Sequence, residues 1–143
     1  MQFIANIITH LEILCTMPAK RYKDYRFYAF VVLNFIASTL DIHIFQKDLG
    51  EKIEPILEHQ GGVSKSSIMY EINSNHNMTN KVLGYLQEER LIDIKTTGSE
   101  YNITITKKGV MYLREYSRFY ISLFKKEISE LYRYRTVPIW AKE

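Results

Sequence analysis

The sequence predicts a mainly α-helical protein with one small β-hairpin, and three observations carry that prediction. Apolar residues recur at spacings of three and four through most of the chain. Strict alternation is confined to two short segments, residues 91–95 and 101–105. With 143 residues, 46% of them hydrophobic and 24% charged, the chain suits a single core. The same composition closes several routes. Six glycines and three prolines argue against a collagen-like or low-complexity chain. One cysteine, Cys15, allows neither a disulfide framework nor a multi-cysteine metal site, and fits a reducing compartment. The longest apolar run, residues 27–37, contains Asn34 and is about half the roughly 20 residues a bilayer span needs. Met1-Gln2-Phe3 offers no basic leader, so a cytoplasmic location is expected.

Each element has its own signal. Residues 3–17 set Ile4, Ile7, Ile8, Leu11 and Leu14 on one helical face, with Cys15 as core filling, and Pro18 ends the run. Lys20-Arg21-Tyr22-Lys23 reads as a short basic link. Residues 27–40 are apolar on nearly every side. Their length favours a buried helix, while their β-branched and aromatic content leaves a strand open. Residues 47–59 oppose Leu49, Ile53, Ile56 and Leu57 to Asp48, Glu51, Glu54 and Glu58, an amphipathic helix in which Pro55 predicts a kink or restart. Gly61-Gly62 stops it. Ser64 caps a short helix running to Ile72, and the polar cluster at residues 73–77 turns the chain into a third helix over residues 78–89. The alternating segments then flank Gly98, which permits a turn with positive φ. Thr106 caps a long final helix over residues 107–135, and Pro138 lies beyond its end.

Three helices followed directly by a hairpin is the plan of a winged helix-turn-helix, here with a long C-terminal helix and a helical N-terminal extension. The local sequence goes further. Ile53, Ile56-Leu57-Glu58, Gly61-Gly62, Ser64-Lys65-Ser66 and Ile68-Met69-Tyr70 resemble the opening of the small archaeal winged helix-turn-helix transcriptional regulators, those with an ArnR-like winged-helix domain. Residues 85–92 resemble that family's exit from the third helix into the wing, with Arg90 where the family has glycine. Residues 101–113, from Tyr101 through Thr106-Lys107-Lys108-Gly109 to Leu113, resemble its wing-to-helix block and are the most specific part. The resemblance spans about residues 46–120. It implies a core over residues 46–106, a C-terminal helix and tail over 107–143, and leaves residues 1–45 as the extension.

Function follows as an expectation: a dimeric, sequence-specific regulator that binds double-stranded DNA and has no catalytic activity. The third helix is the expected reader of the major groove, through Asn77, Thr79, Asn80 and Lys81. Asparagine can pair with adenine through two hydrogen bonds, and lysine reaches guanine or phosphate. The plain alternative is the solvated face of an amphipathic helix. Lys65 at the short helix and Lys95 on the wing are further DNA candidates. So are Lys107 and Lys108, cations at a helix N-terminus where the macrodipole disfavours them. Along the last helix, Leu113, Tyr116, Tyr120, Phe124, Ile128, Leu131 and Tyr134 form one stripe. The resemblance makes it a dimer seam; the alternative is packing against the chain's own first forty residues.

Charge cuts across this reading. The net +3 divides into +1 over residues 1–45, −3 over 46–106 and +5 over 107–143. An acidic core weakens the case for phosphate neutralisation and supports a second reading, a winged-helix protein-interaction module without DNA binding. The remaining motifs are poor. His10, His43, His59 and His76 share no metal-ligand spacing. Gly61 to Ser67 fails as a phosphate loop because His59 stands at its first glycine position. No cofactor, metal, membrane or small-molecule partner is evident.

Overall fold

The computed structural model describes residues 19–142, with side chains from Tyr25 onward. The expected helix over residues 3–17, with Cys15 and His10, lies outside the described residues. The first helix, α1 (Ala19–Ser38), decides the ambiguous apolar run in favour of a helix. It also corrects the expected link, since residues 20–23 lie inside it. Phe30, Val31, Val32, Leu33 and Ile36 are all buried, which explains why the segment shows no polar face.

Three short helices follow, α2 (Leu49–Glu58), α3 (Lys65–Glu71) and α4 (His76–Glu88). Helix α2 runs through Pro55 without a restart. The Ser64 hydroxyl accepts the Ser67 N–H at 3.1 Å and starts α3. Asn75 Oδ1 accepts the Met78 N–H at 2.8 Å and starts α4. Helix α3 stops in a Schellman turn, with Asn73 at φ 49° and the Ser74 N–H reaching back to the Met69 carbonyl at 3.1 Å. Helix α4 stops the same way with Arg90 at φ 61°, the Leu91 N–H bonding the Leu86 carbonyl at 2.9 Å. Arg90 therefore occupies a left-handed position, which disfavours a side chain.

Strands β1 (Ile92–Thr97) and β2 (Glu100–Ile105) pair antiparallel from Ile92↔Ile105 to Thr97↔Glu100. The turn is the two residues Gly98 and Ser99, with Gly98 at φ 65°, tighter than the five-residue turn expected. Val63 adds a one-residue rung to β2, exchanging bonds of 2.8 and 2.9 Å with Ile103. Gln60 extends the same edge through its side chain: its amide donates to the Ile105 carbonyl at 2.9 Å and accepts the Ile105 N–H at 3.1 Å. Isoleucines 92, 103 and 105 turn inward as the alternation predicts.

Thr106 caps α5 (Lys107–Leu123) by accepting the Gly109 N–H at 3.0 Å. The expected single helix to residue 135 is corrected: the chain bends at Phe124, and α6 (Lys125–Leu131) is a separate short helix. Phe124 is packed on Phe27 and Tyr120, with ring centroids 5.5 and 5.7 Å away. Past α6 the tertiary bonds of Tyr132 and Arg135 hold the chain to α3. Tyr132 donates to Glu71 at 2.6 Å, and the Arg135 guanidinium donates to the Tyr70 and Glu71 carbonyls at the end of α3. A 3₁₀ turn, Ile139–Ala141, closes the tail against α1.

One core joins these elements, with α1 packed mainly on α4 and α5. Of the expected dimer stripe, Leu113, Tyr116, Tyr120, Phe124 and Ile128 are buried inside this single chain, Leu131 is half-buried, and only Tyr134 stands free at 88% exposure. Phe27 and Phe30 of α1 supply the cover. The stripe's apolar character is accounted for without a second copy. No helix among the described residues is long and apolar enough to cross a membrane.

Candidate nucleic-acid interface

Helix α4 has two faces separated by its phase. Thr79, Val82, Leu83 and Leu86 point into the core. His76, Asn77, Asn80, Lys81, Gly84 and Gln87 face solvent. Asn77, Asn80 and Lys81 are thus presented together on one surface, as expected. Thr79 is a correction. It is fully buried, so it cannot reach a base edge, and its hydroxyl has no hydrogen-bond partner among the described residues. The signal was present in the sequence: Thr79 precedes Val82, Leu83 and Leu86 by three, four and seven residues, the spacing of the buried stripe.

Gly84 lies centrally on the solvent face. A side chain there would meet nothing within 4 Å, so no packing demand explains a residue that costs a helix interior about 1 kcal/mol relative to alanine. Its bare backbone instead allows close approach by a ligand.

Lys65, at the start of α3, joins the surface from the side. Its ammonium is 3.4 Å from His76 Nε2 and 5.2 Å from the Tyr101 ring centroid. Tyr101 shares the inward side of the hairpin with Thr96, which near the tip becomes the side facing α3 and α4. His76 and Tyr101, which the sequence does not single out as site residues, are the neighbours of Lys65 there. Neither has a local signal, because Lys65, His76 and Tyr101 meet only through the fold.

The other lysines are placed differently. Lys95 pairs across the ladder with Asn102, on the opposite side of the hairpin from Tyr101. It shares a groove there with Asp93, Glu54 and Glu58. Lys107 ion-pairs with Glu54 at 3.1 Å, and Lys108 donates to the Glu89 carbonyl at 2.9 Å. Both have intrachain work, tying the start of α5 to α2 and to the end of α4. Among the described residues, no group of three or more His, Cys, Asp and Glu side chains is arranged to hold a metal ion.

A helix-turn-helix whose second helix offers a polar face beside a β-hairpin defines the class of winged helix-turn-helix domains, in which that face meets the major groove. The chain belongs to the winged helix-turn-helix family, whose sequence profile matches residues 51–123, from α2 to the end of α5. No curated protein and no solved structure matches it.

Proposed function

We propose that this protein is a transcriptional regulator that binds double-stranded DNA in a sequence-specific manner, without catalysis, and inserts α4 into the major groove. The observation that carries the reading is the solvent face of α4, where Asn77, Asn80 and Lys81 surround the bare backbone of Gly84. Asn77 and Asn80 are the base readers in this proposal, and Lys81 and Lys65 neutralise phosphate on either side. Tyr101 and the hairpin tip lie along the backbone. Lys95, Lys107 and Lys108 are secondary, since each faces or binds acceptors of its own chain.

The sparse positive charge of this face predicts a shallow salt dependence, and discrimination carried by base contacts. If two copies bind a symmetric site, their contact must use surface outside the buried stripe. Exposed Tyr70 of α3 and Tyr134, Val137 and Ile139 of the tail are large apolar residues available for it. Sedimentation of the 17.0 kDa chain with and without duplex reads that state directly.

A selection from random duplexes, followed by titration at two salt concentrations, tests the function. Asn80→Ala should cost about 1–3 kcal/mol at the selected site and little elsewhere. Lys81→Ala should weaken all duplexes alike and reduce the salt slope by about one. No duplex held above background at low salt would overturn the reading and favour the protein-interaction module.

A further inference from the structure

Away from α4, the end of α1, the loop after it, α5 and the tail form a half-open cleft of ≈ 320 Å³. That is at the lower end of the range of roughly 300–1,000 Å³ for small-molecule sites. Its walls are largely apolar, with Ala37, Ile42, Ile121 and Trp140 among them. Five polar side chains line it, Asn34, Ser38, Asp41, His43 and Ser117, of which Asn34 from α1 and Ser117 from α5 are buried, each only 3% exposed. The Asn34 amide donates to the Phe30 carbonyl at 3.0 Å, which leaves Oδ1 with no donor among the described residues. The Ser117 hydroxyl likewise has no partner among them. The Ser38 hydroxyl donates to the Phe35 carbonyl, and Asp41 and His43 are exposed, so the buried open capacity belongs to Asn34 and Ser117.

Among the described residues only the Thr79 hydroxyl is a fully buried side-chain polar atom without a partner, so the open groups of Asn34 and Ser117 reach the cleft, where one ligand group can bond both. Water fills an open cleft freely, but covering the mainly apolar wall favours a ligand that displaces it. The lining includes one carboxylate, Asp41, and neither lysine nor arginine, which disfavours an anion.

We propose that this cleft binds a small, neutral, largely apolar molecule, about one or two rings in size, whose single hydroxyl or N–H group bonds Asn34 Oδ1 and the Ser117 hydroxyl. Trp140 forms the tail's side of the site. It is held edge-on against Phe30 and Tyr132, with centroids 5.6 and 6.0 Å away. As the one tryptophan in the chain, it reports occupancy by its own fluorescence.

The test titrates the full chain with benzyl alcohol, following tryptophan emission and melting temperature. Toluene serves as the analogue lacking the hydroxyl and benzoate as the charged one. Benzyl alcohol should give a saturable change and raise the melting temperature, since a ligand of the folded state stabilises it. It should bind about fivefold or more tighter than toluene, the factor one hydrogen bond supplies, and benzoate should bind least. Ser117→Ala and Asn34→Leu should each bring the alcohol-to-toluene ratio towards one. Ala37→Phe, which fills the space, should abolish the response to all three; should that variant not fold, Ile121→Trp serves the same end, read by melting temperature. Absence of any saturable response, an unchanged ratio in both polar variants, or full binding to the filled cleft would overturn the proposal. The measurement uses no DNA, so its failure leaves the DNA-binding reading standing.

Discussion

The front of the molecule, α3, α4 and the hairpin, is shaped by short-range devices, whereas its rear, α1, α5, α6 and the tail, is held by rings from opposite ends of the described chain. At the front, Ser64 and Asn75 cap helices, Asn73 and Arg90 end them, and Gly98 turns the hairpin. At the rear, Phe30 touches both Tyr120 and Trp140, at 5.4 and 5.6 Å, and Phe27 meets Phe124. The difference assigns roles. A surface held by local bonds leaves its side chains exposed, while the aromatic rear supplies stability and contains the half-open cleft.

The hardest break of that contrast is Phe30→Ala. Removing this buried ring should destabilise the whole fold by about 3–5 kcal/mol, because α1 also supports α4. The front counterpart, Tyr101→Ala at 39% exposure, should change stability by about 0.5 kcal/mol or less. Denaturant melts of both variants check the difference, and equal effects would break the comparison.

Alkaline pH should strike the rear next. Burial raises the pKa values of Tyr112, Tyr120 and Tyr132, with Tyr120 pushed up to about 12. Tyr112 and Tyr120 share a hydrogen bond of 3.2 Å that raises Tyr112 further and partly offsets the burial of Tyr120, and Tyr132 donates to the Glu71 carboxylate. The folded state therefore holds these phenolic protons more tightly than the unfolded chain does. That stability is fully present below pH ~10 and drains as pH rises through ~12, by roughly 2–3 kcal/mol for Tyr120 alone. Loss of near-ultraviolet circular dichroism over that window, preceding loss of the isolated α4 face, is the expected signature.

How much of this was legible in the sequence follows the same division. Ser64, Thr106, Gly61-Gly62 and Gly98 act within a few residues, so the helix starts, the stop after α2 and the hairpin could be read from neighbours alone. The bend at Phe124 could not. No glycine or proline marks it, and its cause is a ring packed on Phe27 nearly a hundred residues away. Among candidate site residues, Asn77, Asn80 and Lys81 are exposed on α4, while Thr79 is buried because helical phase overrides residue type. The Lys107–Glu54 pair and the Lys65–His76–Tyr101 cluster depend on tertiary placement and left no local trace.

Front and rear meet at Gly109, which makes it a sharper probe than either side alone. A Cβ there would collide with the Leu91 carbonyl oxygen and with the Ile105 side chain. Gly109→Ala must therefore push α5 away from the root of the hairpin, with an expected cost of about 1–3 kcal/mol. Hydrogen exchange should show the hairpin amides losing protection before those of α1. Uniform loss across both regions would mean that they do not open separately.

The smallest effects separate folding from recognition within α4 itself. Arg90 sits at φ 61°, a conformation that costs a non-glycine residue about 1–2 kcal/mol. Part of that is offset by the larger unfolded-state freedom glycine would bring. Arg90→Gly should thus stabilise by about 0.5–1 kcal/mol and leave DNA affinity unchanged, since Arg90 lies past the end of the helix. Gly84→Ala should stabilise by a similar amount, because its new methyl group meets no protein atom and alanine favours the helix. There the two part company. The Gly84 methyl occupies the space where α4 meets a groove floor, so its selected duplex should bind about tenfold more weakly, equivalent to ~1.4 kcal/mol. Thermal melts and a duplex titration on the two variants check both halves. If Gly84→Ala raises stability and keeps full affinity, the bare patch on α4 is not where DNA approaches most closely.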